Sequence, residues 1–362
     1  MFFDLNQTEF KSELHRIIWA MGRQVVPFEI STAEITDNEM LEGLRQIYDF
    51  TNEHYKNVYD IPYVYLDIIN RMNNGLNSIY KEIDSNKVER MLGFSSFLNV
   101  WKTKVNLEDE RVLVTTVTSN EQLEMLDLFA PMGIKYEICG DLNLLSKQPR
   151  TLRIQNVKYP LFMKHIVHFN KISAMKKVYA DFYVTKCDFR VLNKRYSKTV
   201  EEIMRLIPAG EREIVTHFYD FLISIGAKPK AIADARNHFT FKCKKQNVLT
   251  VYEDGSMNIH LGQHPKNDSA DYFFNAIESL PNKEEFKAFI VENNKHCKGC
   301  KGKKFFAECS GRHETNLPDK HQYVCLHRFS INNVMREKYD CNFYVKMLKQ
   351  VLDLRIESID NL

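Results

Sequence analysis

Four of the chain's eight cysteines, Cys297, Cys300, Cys309 and Cys325, fall within residues 296–329, HCKGCKGKKFFAECSGRHETNLPDKHQYVCLHRF, with His296, His313, His321 and His327 interleaved. Thiolates and imidazoles are the ligands zinc takes, four at a time in a tetrahedron. Cys297-Lys298-Gly299-Cys300 is a C-x2-C pair, and Gly299 permits the turn that brings both sulfurs onto one ion. Cys309 and Cys325 supply the second half without that spacing, and His313 or His327 can replace either of them. Lys295, Lys298, Lys301, Lys303 and Lys304 crowd the first pair, and positive charge lowers a thiol's pKa toward the thiolate a metal needs. The expectation is a structural zinc on Cys297, Cys300, Cys309 and Cys325, ordering a segment with few apolar residues of its own. Two other readings stand beside it. Reduced cysteines also serve as small core residues. A redox C-x2-C ordinarily follows a strand and opens a helix, a context the residues around 297 lack.

A second chemistry is suggested by residues 147–198. Between 151 and 200 there are eleven basic residues and two acidic ones, interleaved with Tyr159, Phe162, Phe169, Tyr179, Phe182, Tyr183 and Phe189. Lysine and arginine neutralise phosphates and aromatic faces stack on bases. Lys164, Lys176, Lys177, Arg190, Lys194 and Arg195 are therefore the expected contacts to nucleic acid or another anionic partner. The plainer account makes TLRIQNV and ADFYVTKCDFRVL two strands whose alternation puts aromatics inside and lysines outside. No helix-turn-helix, RNA-recognition or KH signature accompanies the stretch. His165 and His168 lack a third ligand, and packing or solvent accounts for them.

Catalytic signatures are absent. The chain has no Ser-His-Asp set, H-E-x-x-H, P-loop or dinucleotide fingerprint. The strand expected at 111–118 runs into a Ser119-capped helix with Glu121 and Glu124 in its first turns, where they would repel a bound phosphate. A zinc-dependent hydrolase remains open only if a Cys2His set leaves one position for water, with Glu308 or Glu314 as base. Three functions are thus carried forward: a zinc-stabilised binding or regulatory protein without catalytic machinery, a nucleic-acid-associated protein, and a zinc-dependent hydrolase.

The totals bound the class. The chain has 362 residues, 44% hydrophobic and 27% charged, an ordinary globular composition for two domains. No apolar stretch has the length to span a bilayer, no membrane partner is expected, and the N-terminus lacks the form of a signal peptide. Unevenly placed cysteines fit a reducing cytoplasm better than a disulfide scaffold. The net charge of +3 hides a split: residues 1–150 carry 15 basic and 23 acidic residues, and residues 151–362 carry 35 and 24. Such asymmetry suggests a directed field, toward an anionic partner or between the protein's own halves.

The elements expected to position these residues make an α+β protein of two domains. The first, 1–207, is helix-rich with a mixed sheet and a βαβ-like unit at 111–138. It opens with a helix over 7–22, capped by Thr8, then a short extended piece at 24–31 and helices over 38–101. The second, 208–362, has a helix at 211–225 ended by Gly226, a basic connector AKPKAIADAR, and three strands at 239–245, 247–253 and 256–262. Asp254-Gly255 is the hairpin turn. Helices at 270–280 and 283–294, the cysteine lobe and a helix over 332–358 complete it. Cys139, Cys187, Cys243 and Cys341 are expected to be buried. Residues 211–357 resemble uncharacterised bacterial α+β proteins, mostly from Firmicutes, that share a helix ending in a turn like Gly226-Ala227-Lys228-Pro229, a few strands, then C-x2-C with further single cysteines and a last amphipathic helix. This resemblance implies the metal-site layout and no activity.

Overall fold

The computed structural model describes residues 9–72, 106–139, 150–174, 180–193, 198–232, 237–260, 276–293, 312–314, 323–325, 329–331 and 341–360. It is an α+β fold that divides into two units, Met1–Ser197 and Lys198–Leu362. The expected break at 207 falls ten residues later than this division. The reason is packing: Ile203 and Ile207 are fully buried in the second unit's core.

In the first unit, helices α1 (Glu13–Gly22), α2 (Phe28–Ser31), α3 (Asn38–Asp60) and α4 (Pro62–Met72) precede a sheet. Thr8 lies outside the described residues. The observed cap of α1 is Ser12, whose hydroxyl accepts from the His15 N–H. The extended piece expected at 24–31 is partly wrong, because Pro27 stands just before the first residue of α2, where its missing N–H and fixed φ favour a helix start. Asp37 caps α3, its Oδ1 accepting from the Met40 N–H at 2.7 Å. Helices expected beyond residue 72 fall outside the described residues.

Strands β1 (Asn106–Asp109) and β2 (Val112–Val117), helix α5 (Asn120–Asp127), then β3 (Ile134–Cys139) and β4 (Arg150–Asn156) form a sheet of order β1-β2-β4-β3. Ser119 and Gln122 close a reciprocal capping box on α5, two orphan N–H groups satisfied at once. Both β2 and β3 pair antiparallel with β4. The expected βαβ unit is therefore a split one: β2 and β3 run the same way with β4 between them, and each hydrogen-bonded neighbour is antiparallel rather than mixed. Leu152 and Ile154 of β4 are fully buried. On α3, the Phe50 ring lies 4.4 Å from Phe162 and 6.1 Å from Phe129. Asn57 donates to the Leu128 carbonyl at 2.9 Å and to the Tyr65 hydroxyl at 3.0 Å, tying α3 to α4 and to the end of α5. Tyr55 and Tyr65 are buried packing residues, whereas Tyr63 is exposed.

Helix α6 (Phe162–Ala174) crosses α3 at a glycine. A Cβ on Gly43 would stand 2.0 Å from His165 Cδ2. Gly43→Ala should therefore destabilise the unit by about 1–2 kcal/mol even though alanine is the better helix former, because the overpacking term exceeds the propensity gain of about 1 kcal/mol. The measurement is a urea midpoint. Adding His165→Ala should recover the loss, and additive effects would refute the contact.

Residues 180–192 correct the second expected strand. They form helix α7 (Ala180–Thr185) and a 3-10 turn, Phe189–Leu192. Cys187 between them has φ +48°, a conformation no strand continues through.

The second unit begins with α8 (Val200–Leu206), capped reciprocally by Thr199 and Glu202, and α9 (Ala209–Ser224). Gly226, at φ +80°, ends α9, and the next N–H, of Ala227, returns to the Leu222 carbonyl at 2.9 Å, the glycine-ended form that satisfies last-turn carbonyls. Strands β5 (Lys228–Ala231), β6 (His238–Cys243), β7 (Gln246–Tyr252), β8 (Met257–Ile259) and β11 (Phe329–Ile331) make an antiparallel sheet of order β11-β8-β7-β6-β5. The basic connector of the sequence reading is thus partly an edge strand, β5. The Asp254-Gly255 turn stands as expected, with Gly255 at φ +78°. Phe239, Phe241, Leu249, Val251, Met257 and Ile259 build the core with Phe218 and Leu222 of α9, with Phe286 and Phe289 of α10 (Lys283–Asn293), and with Met347, Leu348, Val351 and Leu352 of α11 (Cys341–Asp360). Strand β9 (Arg312–Glu314) pairs antiparallel with β10 (Tyr323–Cys325) in a two-stranded sheet.

Candidate anion site on the second unit

Of the residues first named for nucleic acid, Lys164 and Arg190 lie among the described residues. Arg190 is buried, 4% exposed, and its Nε and Nη2 donate to the two oxygens of buried Asp188 at 2.6 and 2.9 Å. It is a structural cation, not a phosphate contact. Lys164 is held by Glu110 at 2.8 Å and Glu39 at 2.6 Å, and these bonds raise its pKa. Part of the basic excess in 151–200 is thus answered by the first unit's own acids. Lys176, Lys177, Lys194 and Arg195 lie outside the described residues.

Cys297, Cys300 and Cys309 also lie outside the described residues. Cys325 ends β10, its backbone opposite Arg312. Among the described residues no three His, Cys, Asp or Glu side chains gather as a metal requires. Of the cysteines expected to be buried, Cys187 is, and burial pushes its thiol up to about 12. Cys243 is half-buried, and Cys139 is exposed, because alternate residues of β3 face outward and the strand ends on that face. Cys341 opens α11. His165 packs on Gly43 and is buried, and His168 is exposed, so the pair makes no ligand set.

A different group of cations is gathered by the fold. Lys228 and Lys230 on β5, Lys242 on β6, and Lys244 and Lys245 in the β6–β7 turn line a recess of about 500 Å³, together with Gly226 and Pro229 among the described residues. All five lysines are exposed, and among the described residues neither a carboxylate nor an aromatic ring lines the recess.

Two features of its backbone are unfavourable by local rules. Lys228 stands directly opposite Lys242 in the β5–β6 register, and like charges across a strand pair repel. Cys243 pairs with Gln246 across a two-residue connection in which Lys244 and Lys245 have φ +45° and +69°. Both central residues of such a turn are left-handed, which is why Asn-Gly is the preferred occupant. Below the turn, Arg355 of α11 is fully buried and donates to the Gln246 side-chain oxygen at 3.1 Å. Burial lowers its pKa, so the turn rests on a poorly hydrated cation.

Sequence reasoning missed this site because Lys-Lys gives no turn signal and 227–236 looked like a linker. The signal that was available is density: residues 228–245 hold six basic residues and one acidic residue. No family model matches this chain, and neither a curated protein nor a solved structure does.

Proposed function

We propose that this is a nucleic-acid-associated binding protein without catalytic machinery of its own, in which the second unit takes up phosphates through the lysine recess and zinc orders the cysteine segment. The recess carries the reading. Five lysines share one concavity with no acid among the described residues of its wall, and opposed lysines in a strand pair are tolerated where a counter-charge is to be bound. Edge protection alone explains less. An edge strand can be blunted by one proline, and β5 has Pro229.

Binding through phosphates releases condensed counterions, so affinity falls with salt at a slope of about −0.9 for each phosphate neutralised on duplex DNA. Five lysines set an upper slope of about −4.5, a loss of a few hundred-fold between 50 and 200 mM salt. Lys228→Gln with Lys230→Gln should reduce the slope by about 2 and weaken binding to all sequences alike, while leaving the fold intact, since both side chains are exposed. Fluorescence anisotropy of labelled oligonucleotides across a salt series measures this. Absence of binding at 50 mM salt, or an unchanged slope in the double variant, overturns the reading.

A further inference from the structure

We infer that the ligand of the recess is the sugar–phosphate backbone of a nucleic-acid duplex, and that Lys244 and Lys245 are affinity-determining residues kept in an unfavourable turn for that contact. This rests on the proposal that the recess binds nucleic acid at all.

The choice of duplex follows from what lines the recess. Proteins that hold single strands stack bases on aromatic rings, and that stacking offsets the entropy of fixing a flexible chain. Among the described residues no aromatic side chain lines the recess. Readout of base edges relies on planar, bidentate groups such as arginine, asparagine and glutamine, and among the described residues the wall has none of these. What remains are five point charges on flexible stems, which suit phosphates and confer no base preference. A duplex offers phosphates at high density on a stiff backbone.

The turn supplies an independent argument. Left-handed φ is unfavourable for residues with a Cβ beyond asparagine and aspartate, yet both central positions are lysine. Asn-Gly would fit the same backbone with less strain. A sequence that departs from local preference at one place, at the expense of stability, is what binding sites commonly show. Here the departure puts two more positive charges at the mouth of a recess that already holds three.

Three variants of the full chain separate charge from backbone. Lys244→Asn with Lys245→Gly relieves the turn and removes two charges. It should raise the midpoint of the second unit's calorimetric transition by ~2–4 °C and lower duplex affinity about tenfold or more at 100 mM salt, with a slope smaller by about 2. Lys244→Gln with Lys245→Gln removes the charges alone, and should lose the same affinity without the gain in midpoint. Lys228→Gln with Lys230→Gln reports on the recess if either turn variant fails to fold. Wild-type protein should bind a duplex of random sequence at least several-fold more tightly than a single strand of equal length, and inorganic tripolyphosphate or vesicles of anionic phospholipid should compete only weakly.

The outcomes are distinct. No binding of any nucleic acid at low salt removes the proposed function, and this inference with it. Binding that favours the single strand, or turn variants that bind the duplex as tightly as wild type, overturns this inference and leaves the proposed function standing. Tripolyphosphate or vesicles displacing the duplex more effectively than unlabelled duplex would assign the recess to a small polyphosphate or a membrane surface and overturn it as well.

Discussion

Asp188→Ala is expected to destabilise the first unit by about 3–5 kcal/mol, the usual result of removing one partner from a buried ion pair. Asp188 is wholly buried and Arg190 nearly so, and the guanidinium reaches the carboxylate through two parallel bonds. Losing the carboxylate leaves a positive charge in a place where water cannot solvate it. Neighbouring atoms multiply the consequence. The Val26 N–H donates to the Lys186 carbonyl at 2.8 Å, and the Tyr55 hydroxyl donates to the Thr185 carbonyl at 3.3 Å. The same few residues therefore anchor the connection before α2 and the C-terminal part of α3. Arg190→Lys should be nearly as damaging, since an ammonium cannot make the two-pronged contact. Replacing both partners by apolar residues of similar volume should cost less than either single change. Both tryptophans, Trp19 and Trp101, belong to the first unit, so their fluorescence in a urea titration follows this unit alone. A midpoint in Asp188→Ala corresponding to less than about 1 kcal/mol would show that the pair is not structural.

The same pair marks where sequence reading reaches its limit. The Ser119 cap was legible, a short-range pattern whose geometry follows from spacing, whereas α1 is capped by Ser12 rather than by the expected Thr8. Gly226 and Asp254-Gly255 were legible for the same reason, since a positive φ there asks for glycine. The β2–α5–β3 unit was legible as elements but not as a sheet. The strand that separates β2 from β3 is β4, over ten residues further on, and nothing local announces a non-local pairing. ADFYVTKCDFRVL alternates like a strand and contains two carboxylates and two cations, so composition alone places Arg190 outside. Only the fold shows Asp188 and Arg190 satisfying one another inside. The recess was hidden for the opposite reason. Its lysines were visible, but β5 and β6 had to pair before Lys228 faced Lys242 and the turn brought Lys244 and Lys245 beside them.

Removing zinc is expected to abolish the cooperative transition of the second unit while leaving the tryptophan-reported transition of the first in place. The proposal that Cys297, Cys300, Cys309 and Cys325 share one ion has a direct energetic consequence here. Residues 294–340 join α10 to α11, and Phe286, Phe289, Met347, Leu348, Val351 and Leu352 from those helices are all part of one core. Within that connection β11, three residues long, adds the last strand to the sheet through β8, and Cys325 precedes it by four residues. A three-residue strand contributes little burial, and the long connection carries an entropic penalty that grows with its length. Structural zinc supplies about 10–16 kcal/mol of apparent binding energy, enough to make closure favourable. Purified protein should hold one zinc per chain, and cobalt in its place should give the charge-transfer absorption of bound thiolates. Cys300→Ser should lose stoichiometric metal. Because the ligands bind as thiolates, metal should be released as pH falls, protons displacing the ion from sulfur. A chain that purifies without metal, whose four thiols all react promptly while the second unit still unfolds cooperatively, would refute the zinc site and leave the lysine recess to stand on its own tests.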